Sequence, residues 1–558
     1  MNTLTKVLLC SVFGPYGQDD EYGSRQLNPM ELYHNQVTRT QGAFSLRMFH
    51  RSWGLMMIQA NIEAPCMVLD FPTLERFIEE ICTQQYDVIG ISSIIPNIFK
   101  VRKMCELIRQ YQPKAKIVVG GHIANVPDLS QRIDADYIVK GEGIRWFRHY
   151  FGEDEDRPIR HPLIISGFGS RNAGIPLGGE VAATVIPSVG CPKGCNFCST
   201  SAMFGGKGKS VNFYETGDEL FYIMCQLERE MGVYSFFMMD ENFLLHRKRA
   251  MQLLKLMEKH GKSWALYVFT SADVLKKLYT IDELIRLGVS WVWMGLEGKD
   301  SQYAKLSGID TFELVRNLQS NGIRVLGSTI IGLENHTPEN IDKAIEYAVR
   351  HCTDFHQFML YTPIPGTPLY AELMANGLMK NESEYHFSDI HGQSVLNYRH
   401  SSLNDEQTAE FMIRAFDRDF AVNGPSTVRI ARTTLAGWRK HKNHPDPRVR
   451  RRFAMEARGL AARFSALVSA SKRYYRKNPV MHAKMSALLR ELHAEFGWKS
   501  RLASTFGGRW VLCQIRKEEK RLAEGFSYEP PTFYERNEAV TGHPDVPLCK
   551  FAAPSADK

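Results

Sequence analysis

The chain has no apolar run approaching the roughly 20 residues that a membrane-spanning helix needs. Its most apolar stretches, such as VSWVWMGL at 289–296, are far shorter. No secretory leader is expected at its start: in MNTLTKVLLCSVFGPYG a single lysine precedes an apolar run that ends within a few residues, which predicts a first buried strand. It also lacks the paired cysteines of a disulfide framework. The eleven cysteines are odd in number and mostly scattered, at Cys10, Cys66, Cys82, Cys105, Cys225, Cys352, Cys513 and Cys549. That usage suits a reducing compartment, where isolated thiols serve as small buried hydrophobes. No repeat of solenoid period is evident. These absences argue against a transmembrane protein, a secreted scaffold and a repeat array, and predict a cytoplasmic globular chain.

What is present is alternation. Over 1–151, KVLLCSV (6–12), CMVLDF (66–71), DVIGISS (87–93), KIVVGG (116–121) and DYIVKGEG (136–143) read as buried parallel strands with helical spacing between them. The pattern predicts a doubly wound sheet domain, interrupted at 14–64 by an insertion rich in methionine and aromatics. A polar, glycine-containing linker is expected at 152–180. Residues 181–375 carry six strand–helix repeats, which predict a partial (β/α)6 barrel with its active site at the strands' C-terminal ends. Strand signals then fade, so 376–538 is expected to be mostly helical. Met481, Met485, Leu488, Leu489, Leu492 and Phe496 fall there on one helical face. Residues 539–558 read as a disordered tail. The fold class expected is α/β with a helical C-terminal region.

Three cysteines depart from the scatter. In VGCPKGCNFCSTSAMFGG (189–206), Cys191, Cys195 and Cys198 stand close together with no fourth nearby. Structural zinc normally takes four ligands in two pairs, and a redox CxxC pair would leave Cys191 unexplained. A four-iron cluster normally takes four cysteines, so three thiolates hold three irons and leave one open to a substrate or cofactor. Gly190 and Gly194 would let the backbone bend around so large a group. Zinc with a distant fourth ligand, or an inert thiol loop, is the alternative.

This CxxxCxxC loop after a first barrel strand, with Phe197 just before the last cysteine, resembles the signature of the radical S-adenosylmethionine superfamily. The resemblance implies a 4Fe-4S cluster on Cys191, Cys195 and Cys198, whose open iron binds S-adenosylmethionine and cleaves it to a 5′-deoxyadenosyl radical. It also implies contacts to S-adenosylmethionine from Phe197, from Asp240 and Glu241 in MMDENF, from Ser271, and from Glu297 in MGLEG. An acidic helix start is the plainer reading of Asp240 and Glu241. STIIGLE (328–334) and YTPIPGTPLY (361–370) resemble the fifth and sixth strand regions. A sheet domain ahead of such a barrel is similar to the cobalamin-binding group of the superfamily. By that resemblance Gly120, Gly121 and His122, in VVGGHIAN, would contact cobalamin. The DxHxxG sequence that supplies a lower-face histidine in other cobalamin proteins is absent, and some relatives keep this domain without a corrin.

With cobalamin, the resemblance implies methylation of an unactivated carbon; without it, coupling, cyclisation or rearrangement. The cofactors carry that chemistry, and the protein must position one C–H bond. Between Arg429 and Lys477 fifteen Lys and Arg face only Asp446 and Glu456, a local excess larger than the net +8 of the whole chain. Trp438, Phe453, Phe464, Tyr474 and Tyr475 are interleaved with them. Such a surface suits anionic lipid headgroups. A lipid, isoprenoid or other hydrophobic substrate is therefore expected, with peripheral membrane contact through 429–477 and a donor such as flavodoxin or ferredoxin. A solvated basic face over an ordinary core is the plainer alternative. RNA would be drawn to the same charge, which makes a tRNA-modifying radical enzyme the competing reading, although no second cysteine cluster or RNA-binding module is evident. A non-catalytic metal-binding scaffold is the non-enzymatic one.

Overall fold

The computed structural model describes residues 5–16, 19, 21–23, 31–177, 182–297, 306 and 308–537. The tail expected to be disordered, 539–558, lies outside the described residues. Along the chain, β1 (Val7–Cys10) is followed by β2 (Arg47–Phe49) in the insertion, then by β3 (Cys66–Asp70), β4 (Val88–Ser92), β5 (Lys116–Gly120) and β6 (Tyr137–Ile138). Next come β7 (Phe168–Asn172), β8 (Ile175–Pro176), β9 (Ala182–Val185), β10 (Ser188–Val189) and β11 (Val211–Asn212). β12 (Ser235–Met238), β13 (Ala265–Phe269), β14 (Val289–Gly295), β15 (Arg324–Ile331), β16 (Phe355–Leu360) and β17 (Phe533–Asn537) complete the series.

The first sheet has the order β17-β3-β1-β4-β5-β6. β1 is central, pairing in parallel with β3 (Val7↔Cys66) and with β4 (Val7↔Val88). It is a continuous apolar run because helices cover both faces of the sheet. Leu8 and Cys10 enter one core with Phe77, Ile81, Met104 and Ile108. Val7 and Leu9 enter the other with Leu55 and Phe147. The helix Leu74–Thr83 begins where the Thr73 hydroxyl accepts from the Arg76 amide at 3.1 Å.

The second sheet, β16-β15-β14-β13-β12-β9, is wholly parallel and forms a partial (β/α) barrel. Side chains alternate between its two faces. Phe236, Leu266, Val292 and Val325 point outward into the core shared with the surrounding helices. The opposite set is aromatic: Tyr267 stacks on Trp291 at 5.6 Å, Phe269 on Trp293 at 4.7 Å, and Trp291 on Phe355 at 5.3 Å. Two residues of the insertion complete this lattice, Tyr33 against Phe355 and Trp53 against Phe237, each pair 5.8 Å apart. The insertion is thus part of the barrel's filling, a place that its irregular pattern did not announce.

Two stretches differ from expectation. The linker region carries β7 and β8, and β7 pairs antiparallel with β2 of the insertion. Its FGSRN sequence is polar and contains glycine, so only a partner strand makes it extended structure. Near the other end, β17 returns to pair antiparallel with β3 (Phe533↔Asp70), although the strand signal had faded by residue 376. The C-terminal region is otherwise helical. Met481, Met485, Leu488, Leu489 and Leu492 are buried on the expected face, with Phe496 partly buried. The segment 429–477 is less of a surface than its composition suggests. Arg429, Arg448, Arg452 and Phe453 are buried, and Trp438 donates to Glu495 Oε1 at 2.8 Å. No described helix is long and apolar enough to cross a membrane.

Candidate active site between the sheet domain and the barrel

The three cysteines lie on the loop from β10 to the short helix Ser199–Met203. The loop is closed on itself: the Cys198 amide donates to the Cys195 carbonyl at 3.0 Å, and the Ser201 hydroxyl to the Cys191 carbonyl at 2.9 Å. Its bends need glycine. Gly194 has φ +67°, and a β-carbon there would stand 2.5 Å from the Lys207 side chain; at Gly190, φ +84°, one would stand 2.6 Å from Phe204. Burial pushes the Cys191 thiol up to about 11 and raises that of Cys198, with Cys195 and Glu241 adding to both rises and Cys198 to that of Cys191. Among the described residues no three His, Cys, Asp or Glu side chains converge on a single-ion position. Three thiols carried on one short glycine-bent loop fit a multi-iron cluster, whose metal charge would favour their ionised form.

Two cavities flank the helix Ser199–Met203. The larger, about 660 Å³, is lined by Phe197, Cys198 and Thr200, by Glu297 after β14, by Ser328–Ile330 of β15 and by Gln357 and Met359–Tyr361 of β16. It thus opens at the C-terminal ends of the barrel strands, where such barrels hold their chemistry. The smaller, about 270 Å³, lies over the C-terminal ends of β1, β4 and β5, lined by Leu9, Gly90–Ser92, Gly120, Gly121 and Gly143, and closed by Trp53, Met57 and Met239. The crevice at the strands' carboxyl ends is where open α/β sheets bind ligands. His122 and Thr200 line both cavities.

The expected residues divide between these spaces. Phe197 and Glu297 face the larger cavity. Phe197 meets Tyr361 edge-on at 6.1 Å, and Glu297 is 4% exposed with a left-handed φ of +47° that aims it away from the run of β14. Glu241 faces the smaller cavity, with a buried Oε2 that lacks a hydrogen-bond partner. Burial, reinforced by the Asp240 carboxylate, pushes it up to about 8. Asp240 lines neither cavity: it accepts from Ser188 Oγ at 2.6 Å and from the Asn242 amide at 3.0 Å, and pairs with buried Arg249. Ser271 lines neither cavity, and accepts from Asn242 Nδ2 at 3.3 Å. Gly120, Gly121 and His122 all line the smaller cavity. Gly121 has φ +83°, and a β-carbon there would strike the Ser93 carbonyl at 2.5 Å. The buried His122 Nδ1 has no hydrogen-bond partner, and burial lowers the imidazole's pKa. A glycine-walled apolar slot with an unmatched imidazole nitrogen fits the edge of a cobalamin.

The sequence reading overlooked a chain of polar side chains in the larger cavity. Trp293 Nε1 donates to Ser328 Oγ, Ser328 Oγ to Gln357 Oε1, and Gln357 Nε2 to Gln36 Oε1, each at 2.8 Å. Three of these residues lie on inward positions of barrel strands, which period-two alternation could have indicated. Gln36 belongs to the insertion and carried no signal.

Comparison with known proteins agrees with this geometry. Residues 185–348 match the Radical SAM superfamily and residues 42–150 the B12 binding domain. An uncharacterized methyltransferase of Pyrococcus horikoshii is 24% identical over 380 residues, covering 59% of this chain and 78% of the relative. The bacteriochlorophyllide d C-12(1)-methyltransferase of Chlorobaculum tepidum is 27% identical over 198 residues, covering 34% of this chain and 42% of the relative. The hopanoid C-2 methylase of Rhodopseudomonas palustris is 24% identical over 251 residues, covering 42% and 46%. The chain thus spans less than half of the latter two. Among solved structures, the radical S-adenosylmethionine methyltransferase TsrM of Kitasatospora setae, with cobalamin and a [4Fe-4S] cluster bound, shares the fold. The TM-score is 0.51 at 17% identity, over 81% of this chain and 98% of that one.

The protein is an enzyme built on a radical S-adenosylmethionine barrel. More narrowly, a B12-binding domain match at 42–150 stands ahead of a Radical SAM match at 185–348, the domain order of cobalamin-binding radical S-adenosylmethionine enzymes. The cofactors of that architecture are a 4Fe-4S cluster, S-adenosylmethionine and cobalamin.

Proposed function

We propose that the protein is a cobalamin-dependent methyltransferase that modifies an unactivated carbon of a hydrophobic substrate. The observation that carries this reading is the meeting of the two cavities at His122 and Thr200, which joins the B12-domain strand ends to the space beside Cys198. Bound there, the cluster with S-adenosylmethionine would supply hydrogen-atom abstraction, and cobalamin a methyl group. Cys191, Cys195 and Cys198 would hold the cluster. Glu297 and Phe197 would hold S-adenosylmethionine in the larger cavity, with Glu241 on the cluster's other side. Asp240 and Ser271 act as positioning residues: through Ser188, Arg249 and Asn242 they fix the strand end and the start of the cluster loop. Gly120, Gly121 and His122 would receive cobalamin.

The substrate side follows from the lining. Leu32, Phe269, Trp293, Ile330 and Tyr361 offer an apolar and aromatic wall, which excludes water from a radical reaction. The chain through Trp293, Ser328, Gln357 and Gln36 would fix one polar group of the substrate and so choose which carbon faces the chemistry. A tetrapyrrole, hopanoid, isoprenoid or lipid fits that division between a large apolar body and one polar anchor. Peripheral contact with an anionic membrane and a flavodoxin- or ferredoxin-type donor complete the reading.

Anaerobic reconstitution with iron, sulfide and cobalamin, followed by turnover with methyl-labelled S-adenosylmethionine, tests it. We expect cobalamin retention in the visible spectrum, 5′-deoxyadenosine formation, and label in the apolar extract of cells containing the protein but not of cells lacking it. Loss of cobalamin on gel filtration, or label confined to RNA, would overturn it.

A further inference from the structure

The helical stretch 498–510 is built inside out. Trp498, Leu502, Phe506 and Trp510 are 69%, 53%, 66% and 55% exposed. On the opposite side Ser500, Ser504 and Gly508 are buried against the helix Ser465–Tyr474. Ser500 Oγ lies 2.7 Å from Ser465 Oγ, the Ser469 hydroxyl donates to the Ser504 carbonyl at 2.7 Å, and a β-carbon on Gly508 would stand 2.6 Å from Ser469 Oγ. A surface helix in water normally turns its apolar side chains inward; this one turns small residues in and its largest apolar ones out.

The outward set also forms a ridge that fans out less than a regular α-helix would make it. An α-helix turns about 100° per residue, so side chains four apart drift by roughly 40° and a row of four fans out by roughly 120°. Here Ala503–Gly507 is a π-helix. Its i→i+5 bonding widens the turn beyond four residues, and the drift across it runs the other way. A break at Gly497, φ +58° and ψ −133°, separates the ridge from the ordinary amphipathic helix before it. Between Trp498 and Lys517 stand Lys499, Arg501, Arg509, Arg516 and Lys517, all exposed, and no acidic residue.

We infer that this ridge is a docking surface for an anionic phospholipid bilayer. Tryptophan and phenylalanine suit the boundary between headgroups and acyl chains, and flanking Lys and Arg gain from anionic lipid. A second copy of the chain is the poorer occupant, because ridge-to-ridge pairing would set these cations against their like. The inference deepens the membrane part of the function proposed above, moving the contact from 429–477, whose aromatics are largely packed inside, to 498–517.

The test is flotation of the full-length reconstituted protein with vesicles of phosphatidylcholine alone and of phosphatidylcholine mixed with phosphatidylglycerol. We expect binding to the mixed vesicles, weakened by salt. Trp498→Ser with Phe506→Ser and Trp510→Ser should lower the bound fraction by about tenfold. Arg501→Gln with Arg509→Gln should lower it by several-fold, with far-UV circular dichroism and 5′-deoxyadenosine formation unchanged in both. Wild-type protein that ignores anionic vesicles overturns both the ridge and the membrane reading. Ridge variants that bind as well as wild type overturn the ridge alone. A concentration-dependent dimer that the ridge variants dissociate assigns the surface to a second copy instead.

Discussion

At the scale of single residues, the cluster loop depends on side chains that bind and on positions that must have none. Cys195→Ala should abolish the cluster's visible absorbance and 5′-deoxyadenosine together, since two thiolates cannot hold three irons. Glu297→Gln should keep the cluster spectrum and weaken S-adenosylmethionine binding by roughly tenfold, the scale of one charge-assisted hydrogen bond. Equilibrium dialysis beside the iron spectrum checks the pair, and cluster loss in Glu297→Gln would refute its assignment. Asp240 is different in kind. Its ion pair with Arg249 is buried on both sides, each side chain 3% exposed. Asp240→Ala strands the Arg249 cation and should cost about 3 kcal/mol in urea unfolding, whereas Ser271→Ala, losing one 3.3 Å contact, should cost about 1 kcal/mol. Cys191, Cys195 and Cys198 were readable in the sequence because their spacing is local. The split between Glu241 and Asp240 was not, since adjacent residues after a strand face different partners that only the fold brings near.

At the scale of elements, β17 closes the edge of the first sheet. Phe533 packs edge-on against Phe168 at 5.0 Å, and the Arg51 guanidinium sits 4.0 Å over the Phe533 ring while also pairing with Asp70 and Glu535. β17 thus joins the last described residues, the insertion and the B12-type sheet. Phe533→Ala should lower stability by about 2 kcal/mol, read as an earlier unfolding transition of the sheet domain. An unchanged transition would mean that the edge is held by backbone pairing alone. The parallel strands of both sheets were legible because burial on both faces leaves an apolar run in the sequence. β17, with its FYERN sequence, and β7, with FGSRN, were not, because an edge strand borrows its order from a neighbour. The insertion was visible only as an interruption. Tyr33, Gln36 and Trp53 gain their meaning from Phe355, Gln357 and Phe237, each more than 180 residues away.

At the scale of the whole molecule, packing a sheet domain, an insertion and a helical region around one barrel buries many histidines without charge. Burial lowers His50, His161 and His351 to about 4 and His356 to about 3, from an ordinary 6.5. His356 shows how they are held, its two ring nitrogens each 3.0 Å from a threonine hydroxyl, of Thr353 and Thr329. A depressed histidine binds its proton more readily in the unfolded chain. Its contribution is therefore complete above pH 6.5 and is lost as pH falls toward the folded value. Glu31 and Glu241, which burial raises to about 7 and about 8, work in the opposite direction, as does buried Asp354, but the histidines outnumber them. The urea midpoint of the protein should thus fall progressively from about pH 6.5 to about pH 4. Histidine proton resonances recorded across the same range should show these imidazoles still neutral at pH 5. A flat midpoint, or titration of these rings near 6.5, would mean that water reaches them, and that the domains are packed more loosely than the shared cavities require.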